Sequence, residues 1–246
     1  MKATYTINYV QEIDSTNGYL QQLRKTNDLP EGYIVSAFYQ KKGRGQTGNN
    51  WVSEAGKNIT FSMNLTPRFL PAGDQFYLSM AVSLGIVHGI ENFGVVAKIK
   101  WPNDILIHKR KICGILIENT VEGNFLGSVT IGAGVNVNQM NFPENIPHVT
   151  SLALELGKEL NLDQVIHALA TQILHYYQLL KNLHLEELKQ MYLEKLFGYN
   201  ESMGYVDDEG RFTGEIQDVL PTGELLVRRS DGKTRAYLFK EITYQL

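Results

Sequence analysis

Four strand-like segments joined by very short turns place the tightest limit on how this chain can fold. Residues 97–101, 104–108, 111–120 and 125–136 are each rich in β-branched and aliphatic side chains. Two residues separate the first segment from the second and the second from the third, four residues separate the third from the fourth, and connections this short join only antiparallel strands. Because these strands are grouped and do not alternate with helices, the pattern predicts an α+β fold with a mixed or antiparallel sheet.

The rest of the first 198 residues adds further strands and the helices that flank the sheet. Alternating or β-branched runs predict strands over residues 4–10, 33–40 and 58–65. Apolar residues at helical spacing predict helices over residues 16–25, 74–92, 151–156 and 161–197, the last with an interruption near 182–185.

The hydrophobic pattern of the sequence changes after Gly198. Short alternating segments are separated there by Asp-Asp-Glu-Gly, Pro-Thr-Gly and Ser-Asp-Gly, which are turn signals at close intervals. We therefore predict two domains, residues 1–198 with the larger core and residues 199–246 as a small β-barrel-like unit. A unit of that size is expected to pack on the larger one.

Composition narrows the cellular setting. Cys113 is the only cysteine among 246 residues, so no intrachain disulfide can form and a reducing compartment is expected. The N-terminus lacks an apolar signal-like region, and no apolar run reaches the roughly 18 residues of a membrane span. We expect a soluble, cytoplasmic protein without a membrane partner.

Charge is distributed unevenly along the chain, whose net charge is −3. Segment 98–111 holds five basic residues and one acidic residue, and segment 41–50 holds three basic residues and no acidic one. The overall charge argues against a nucleic-acid partner, whereas the two basic segments favour a small anionic ligand. Two solvated charged loops are the alternative.

Glycines punctuate the basic segment 41–50, which lies between two predicted strands. Residues 43–48 (Gly-Arg-Gly-Gln-Thr-Gly) have the outline of a dinucleotide-binding fingerprint, but a strand follows where that fingerprint needs a helix. The Gly-Lys-Ser/Thr of a P-loop is also absent. Two interpretations stay open: a loop whose N–H groups and basic side chains close over a phosphate, or a mobile hairpin loop.

Lys111 opens a very apolar predicted strand. Strand alternation places Lys111, Cys113 and Ile115 on one face. A lysine that faces inward needs an anionic partner, and a solvated lysine at a strand end is the alternative. Cys113 has no identifiable His or Lys partner for nucleophilic chemistry, which favours a small core residue.

Three other motifs combine polar side chains with tight backbone geometry. Residues 15–17 (Ser-Thr-Asn) fit a helix cap or a polar ligand site, and residues 102–104 (Pro-Asn-Asp) fit turn chemistry or a carboxylate beside a site. Small residues in segment 131–138 permit a close backbone approach, which would put Asn136 beside a cavity; a bulge is the alternative. The sequence contains no metal-ligand spacing and no Gly-x-Ser-x-Gly elbow.

The order and spacing of these motifs carry more information than any one of them. In chain order the motifs are Ser15-Thr16-Asn17, Tyr39-Gln40 with Gly43-Arg44-Gly45, Gly48 and Trp51, Lys100-Trp101-Pro102-Asn103-Asp104, Lys111 with Gly114-Ile115-Leu116-Ile117-Glu118, and Gly132 with Gly134-Val135-Asn136-Val137-Asn138. The series resembles the biotin–protein ligases, and the resemblance covers essentially the whole chain. About 14 residues precede Ser15, so the chain resembles the single-function members, which lack an N-terminal DNA-binding domain, and no DNA partner is expected.

The resemblance implies a fold and a reaction. The fold is a catalytic domain like that of class II aminoacyl-tRNA synthetases, followed by an SH3-like β-barrel. The biotin carboxylate attacks the α-phosphate of ATP to give biotinyl-5′-AMP and pyrophosphate, and a lysine of a biotin carboxyl carrier protein or domain then attacks the mixed anhydride. Mg²⁺ accompanies ATP and is bound mainly through the phosphates. This chemistry needs positioning and charge neutralisation but no covalent protein nucleophile.

The resemblance also implies roles for individual residues. Lys111 is expected to bridge the biotin carboxylate and the α-phosphate, Arg44 to supply positive charge, and Asp104 to orient or deprotonate the acceptor lysine. The expected biotin-binding residues are Ser15, Thr16, Asn17, Gln40, Arg44, Gly45, Gln46, Lys111 and Gly114. The expected ATP- and adenylate-binding residues are Gly43, Arg44, Trp51, Asn103, Lys111 and Asn136.

The glycine-containing loop departs from one form familiar in the family, Gly-Arg-Gly-Arg-Arg-Gly-Arg. Gln46, Thr47 and Asn49 replace three of its arginines. Less positive charge over the intermediate predicts weaker retention of biotinyl-AMP than in the arginine-rich form.

Competing functions and the oligomeric state stay open. A lipoate or octanoate ligase or transferase would share the fold, but the Arg-Arg-x-Ser-Gly-Gly-Gly loop is absent and Cys113 beside Lys111 is a poor substitute for a Cys–Lys pair. A non-catalytic biotin sensor is disfavoured by the retained Arg44, Asp104 and Lys111. Members of this fold class are monomers or homodimers through a sheet edge, and the sequence does not decide between them.

Overall fold

Two sheets and five α-helices make up the part of the chain that the structure, a computed structural model, describes: residues 4–46 and 48–245. In chain order the elements are β1 (Thr6–Ile13), α1 (Thr16–Thr26), β2 (Tyr33–Gln40), β3 (Ile59–Leu65), a 3₁₀ turn (Ala72–Asp74), α2 (Phe76–Glu91), β4 (Ala97–Lys100), β5 (Asp104–Ile107), β6 (Arg110–Glu122), β7 (Phe125–Val135), α3 (Leu152–Leu156), α4 (Leu162–Lys181), α5 (Leu185–Lys195), β8 (Ser202–Asp207), β9 (Gly210–Val219), β10 (Leu225–Arg229), β11 (Thr234–Tyr237) and β12 (Thr243–Tyr244).

The larger sheet has seven strands in the order β1-β2-β3-β7-β6-β5-β4. β1 and β2 are parallel, and every other neighbouring pair is antiparallel. α1 lies in the connection between β1 and β2, since two parallel strands cannot be joined by a tight turn. The predicted α+β class, with a mixed sheet flanked by helices, is confirmed.

α2 and α4 form the helical layer of the core. α2 is buried along most of its length because it packs against β4 and β5 and also against α4 and α5. At Gly85 a Cβ would come within 2.5 Å of the Cα of Ile173 in α4, so the two helices approach closely there. The predicted interruption of the long helix is confirmed, because α4 ends at Lys181 and α5 begins at Leu185. No helix in residues 4–46 and 48–245 combines the length and apolar character that crossing a membrane requires.

The second sheet has five antiparallel strands in the order β11-β10-β9-β8-β12. Its tight turns contain Gly210, Gly223 and Gly232, all with positive φ, a backbone conformation that glycine adopts without steric cost. The small C-terminal β unit predicted from these turn signals is confirmed. The division of the chain into two domains at residue 198 stays a prediction.

The second sheet packs on α5 and on the turn between β4 and β5. Trp101 in that turn donates a hydrogen bond from Nε1 to the Gly223 carbonyl oxygen at 2.9 Å. Lys189 of α5 and Asp218 of β9 form an ion pair at 2.7 Å with both side chains largely buried. β12 also lies near the turn between β4 and β5, and both line the cavity described below.

Candidate active site

A cavity of about 300 Å³ opens on the face of the larger sheet that carries α1. Its wall combines the start of α1, the end of β2, the loop after β2, the turn between β4 and β5, the middle of β6 and β7, and part of segment 239–244. The predicted site residues that line it are Ser15, Thr16, Asn17, Gln40, Arg44, Gly45, Gln46, Trp51, Asn103, Asp104, Lys111 and Gly114. Motifs that are far apart in the chain therefore meet in one place.

Polar side chains at the start of α1 are fixed by a buried hydrogen-bond network. Ser62 Oγ in β3 lies 2.7 Å from Thr16 Oγ1 and 2.5 Å from Asn17 Oδ1. Gln40 Oε1 accepts a hydrogen bond from the Thr16 N–H at 2.7 Å. Ser15 is the N-cap residue by position, but its hydroxyl makes no capping hydrogen bond, so the helix-cap interpretation of that side chain is wrong. Its side chain lies instead at the cavity wall.

Glu118 in β6 is a connecting residue of the site whose role the sequence motifs do not reveal. Its Oε2 accepts hydrogen bonds from Asn17 Nδ2 at 2.6 Å, Gln21 Nε2 at 3.1 Å and Arg44 Nη2 at 3.2 Å. One carboxylate thus joins α1, the loop after β2 and β6. Strand alternation places Glu118 on the same face as Gly114, and that spacing is the signal that could have found it.

Lys111 and Asp104 form an ion pair in the cavity wall. Lys111 Nζ lies 2.6 Å from Asp104 Oδ1, and the two side chains are 37% and 22% exposed. Asn103 Nδ2 donates to the Ile115 carbonyl oxygen at 2.7 Å and so ties the turn between β4 and β5 to β6. The prediction that an inward-facing Lys111 needs an anionic partner is confirmed by Asp104.

A bulge in β6 overturns the predicted side-chain alternation around Cys113. Ile112 is the extra residue where β6 pairs with β5. Lys111 consequently shares a face with Gly114, where a Cβ would lie 3.2 Å from Lys111 Nζ. Cys113 is fully buried, and burial raises the pKa of its thiol. The prediction that Lys111 and Cys113 share a face is wrong, and the interpretation of Cys113 as a core residue is confirmed.

Three glycines in β6 and β7 form the floor of the cavity. Gly114 and Gly134 are directly paired across the two strands. A Cβ at Gly134 would overlap the Trp51 indole, and a Cβ at Gly132 would overlap the Asn17 amide. Glycine at these positions leaves room for the Trp51 and Asn17 side chains, which a larger residue in the floor would displace.

The Trp51 indole lies beside the ion pair. Lys111 Nζ is 5.9 Å from the centroid of the Trp51 ring. Trp51 Nε1 is buried and has no hydrogen-bond partner within residues 4–46 and 48–245. A buried indole N–H usually has a partner, so a ligand acceptor at this position would satisfy it.

Gly43 and Asn136 do not line the cavity, although the resemblance placed both at ATP. The Gly43 carbonyl oxygen accepts from Trp51 N–H at 2.9 Å and thereby joins the two arms of the loop. Asn136 is buried, and its Nδ2 donates to the Thr150 carbonyl oxygen at 3.0 Å. Both residues therefore have a structural role next to the cavity, and their contact with ATP stays a prediction. Thr47, the third departure from the arginine-rich loop, lies outside the described residues.

The arrangement can neutralise anionic charge and position a nucleophile. Arg44 and Lys111 present cations and Asp104 a carboxylate on one wall. No group of three or more His, Cys, Asp or Glu side chains in the described part of the chain could hold a metal ion. Two cations beside an aromatic ring suit a ligand that combines a planar base with a phosphate or carboxylate.

Known proteins are similar to this chain in sequence and in fold. Residues 9–136 match the Biotin/lipoate A/B protein ligase family. The bifunctional ligase/repressor BirA of Bacillus spizizenii is 31% identical over 233 residues, which are 93% of this chain and 71% of that protein. The biotin–[acetyl-CoA-carboxylase] ligase of Mycobacterium tuberculosis is 32% identical over 156 residues, which are 61% of this chain and 56% of that protein.

A solved structure matches nearly the whole chain. The biotin protein ligase from Aquifex aeolicus in complex with biotin and ATP has a TM-score of 0.79 and 25% identity, covering 96% of this chain and 97% of that one. The family match begins before Ser15 and ends after Gly134, so it includes every part of the cavity wall except segment 239–244. On this match of sequence and fold, the chain belongs to the Biotin/lipoate A/B protein ligase family.

Proposed function

We propose that this protein is a biotin–protein ligase, which converts biotin and ATP to biotinyl-5′-AMP and transfers biotin to a lysine of a biotin carboxyl carrier protein or domain. The observation that carries the proposal is the Lys111–Asp104 ion pair, which shares one cavity with Arg44 and Trp51. The relatives above, whose names include biotin ligases from two bacteria, support biotin as the acid and a carrier domain as the acceptor.

In the first half-reaction, a biotin carboxylate oxygen attacks the α-phosphorus of ATP. A C–O–P bond forms, the bond from the α-phosphorus to the bridging oxygen breaks, and that electron pair leaves with pyrophosphate. Two anionic groups must approach each other, so the barrier contains a large electrostatic part. Lys111 would lie between them, and Arg44 would add a second cation by exchanging Glu118 for the ligand.

The biotin end of the cavity is formed by the start of α1. Thr16 and Asn17 are held by Ser62, so their orientation is set before a ligand binds. Gln40 uses its Oε1 for the Thr16 N–H, which leaves its Nε2 as a donor for the ureido oxygen of biotin. Ser15 supplies a hydroxyl at the same end.

The adenine end is formed by Trp51 on the glycine floor. The indole offers a planar surface for the base, and its buried Nε1 offers a donor. Asn103 lines the cavity at the turn between β4 and β5 and joins it to β6.

In the second half-reaction, the acceptor lysine attacks the acyl carbon of biotinyl-5′-AMP. The N–C bond forms, the bond from the acyl carbon to the phosphate oxygen breaks, and AMP leaves with the electron pair. Asp104 would orient the amine and accept its proton. It becomes available for this role when the phosphate of the departing AMP replaces it as the ion-pair partner of Lys111.

Mass spectrometry of a purified apo carrier domain tests the proposal. The carrier domain is incubated with the protein, biotin and MgATP, and a carrier variant with its acceptor lysine changed to arginine is the matched control. We expect one biotinyl addition on the carrier and none on the variant. A carrier that stays unmodified, with a protein that binds biotin, would indicate a sensor instead of a ligase.

A further inference from the structure

Lys100, the last residue of β4, is a basic residue of the cavity wall to which the mechanism above assigns no role. Arg44 and Lys111 line the same cavity, and each forms an ion pair with a carboxylate, at 3.2 and 2.6 Å. Lys100 forms no ion pair within residues 4–46 and 48–245. Its Nζ lies over the ring of Tyr244 in β12, 5.4 Å from the ring centroid.

The surroundings of Lys100 disfavour an isolated cation. Burial lowers the pKa of the Lys100 ammonium, the Asp104 charge opposes this effect, and the Lys111 charge adds to it. The Tyr244 ring offers a cation–π contact, which replaces only part of the lost hydration. An anion bound in the cavity would supply the missing counter-charge, and an ammonium group is a good point-charge partner for phosphate.

The contacts along the cavity wall indicate which phosphates would reach Lys100. Trp51 contacts Lys111, Lys111 pairs with Asp104, Asp104 is the β5 partner of Lys100, and Lys100 contacts Tyr244. A nucleotide with its base on Trp51 and its α-phosphate at Lys111 would have its remaining phosphates beside the next residues of this series. Lys100 is the next cation in it.

We propose that Lys100 is the subsite for the β- and γ-phosphates of ATP and for the pyrophosphate that leaves. As the bond to the α-phosphorus breaks, negative charge develops on the bridging oxygen of pyrophosphate, and the Lys100 ammonium neutralises that charge. The inference rests on the proposed function, because it takes adenylation as the reaction. Tyr244 holds the ammonium from the second sheet, so this sheet contributes to nucleotide binding through one aromatic face.

Substitution of Lys100 tests the contribution of this subsite independently of the rest of the cavity. We compare Lys100→Met with Lys98→Met, a matched control in β4 whose Nζ donates to the Glu194 carbonyl oxygen outside the cavity. Lys100→Met should raise the KM for ATP and for pyrophosphate about tenfold or more in biotin-dependent ATP–pyrophosphate exchange, since an interaction with a charged group is removed. Lys100→Arg should recover most of the loss, and Lys98→Met should match the wild type.

Two measurements with ligands that lack β- and γ-phosphates complete the test. Binding of biotin alone and transfer from preformed biotinyl-5′-AMP to the carrier should stay within about twofold of wild type in Lys100→Met, because neither ligand has the phosphates in question. An unchanged KM for pyrophosphate would overturn the proposal. So would an equal loss in transfer from biotinyl-5′-AMP, which would place Lys100 at the acyl group.

Folding and the proposed function are controlled separately. Far-UV circular dichroism and thermal unfolding of each variant report the fold, and Lys100→Gln replaces Lys100→Met if the latter unfolds. A wild-type protein without biotin-dependent exchange would contradict the proposed function. In that case calorimetric binding of pyrophosphate alone still tests the subsite: tighter binding to wild type than to Lys100→Gln supports it, and equal binding overturns it.

Discussion

Lys111 is the residue on which the proposed chemistry depends most. Its ammonium is already in place, held by Asp104 at 2.6 Å, so the cation does not have to be reoriented when the two anionic substrates meet. A preorganised charge of this kind is more effective than one that must be recruited from solvent.

Lys111→Met should lower biotin-dependent ATP–pyrophosphate exchange about 100-fold or more, because charge stabilisation at the reacting phosphate is lost. Lys109→Met removes the same charge from the exposed turn before β6 and should behave as wild type. Exchange rates are measured at saturating biotin, and circular dichroism checks the fold. Wild-type exchange in Lys111→Met would remove this residue from the reaction.

We expect Gln46 to influence how strongly the loop after β2 holds the intermediate. Its Oε1 is buried without a hydrogen-bond partner in the described residues, and it stands where one familiar loop form has arginine. Gln46→Arg should slow release of biotinyl-5′-AMP about tenfold, because a charge-assisted contact to the phosphate is added. Gln22→Arg, on the exposed surface of α1, adds the same charge outside the cavity and serves as control.

The release rate is measured with hydroxylamine, which traps the biotinyl-5′-AMP that has left the protein. A release rate of Gln46→Arg equal to that of Gln22→Arg would show that the side chain at position 46 does not reach the intermediate.

At the level of elements, the pairing of β6 with β7 is what gives the cavity its floor. The register places Gly114 directly opposite Gly134, which removes two side chains from one spot on the sheet. The Trp51 indole occupies the resulting space and is held at the sheet surface.

Gly134→Ala should raise the KM for ATP about tenfold while leaving biotin affinity within about twofold. The new methyl group would overlap the Trp51 indole, whereas Asn17 at the biotin end contacts the neighbouring Gly132. Gly73→Ala, where a Cβ meets no atom within 4 Å, is the matched control. Calorimetry with biotin and exchange kinetics with ATP separate the two ends, and equal losses at both ends would contradict this division of the cavity.

The hairpin run of the larger sheet was predictable, but the details that make the site were not. Two-residue turns and β-branched runs are local signals, so they predict antiparallel strands directly. The bulge at Ile112, by contrast, depends on pairing with β5, and it reversed the predicted face of Cys113. Glu118 likewise acquires three hydrogen-bond donors from segments about 70 to 100 residues away, which no local pattern encodes.

At the scale of the whole molecule, the second sheet closes one side of the cavity. Turn signals predicted this small β unit, because each turn needs only its own residues. Its position could not be predicted, since contacts such as Trp101 to Gly223 join segments that share no sequence pattern. The cavity-lining residues Thr243 and Tyr244 were not predicted for that reason.

One histidine in the helical layer beneath the sheet is expected to make stability depend on pH. His88 of α2 stacks on Tyr176 of α4, and its neighbours include Glu91, Lys195 and His175. Burial, followed by the Lys195 charge, lowers the pKa of His88 below its ordinary value of 6.5. The folded protein therefore binds fewer protons at this site than the unfolded chain, so the contribution of neutral His88 to stability is complete above pH 6.5 and declines as the pH falls below that value.

Comparison of wild type with His88→Gln isolates this contribution from the other titrating groups. The free energy of unfolding of the wild type should fall more than that of the variant between pH 7 and pH 5, as measured by urea denaturation. Parallel curves for the two proteins would show that His88 titrates alike in the folded and unfolded states.

Biotin-dependent ATP–pyrophosphate exchange on the purified protein tests the central claim most directly, because it reports adenylation of the acid without any carrier domain. Lipoate and octanoate are run beside biotin at equal concentrations. The account predicts exchange with biotin and none above background with the other two acids. Exchange with lipoate or octanoate in place of biotin would contradict the account and assign the protein to the other branch of its family.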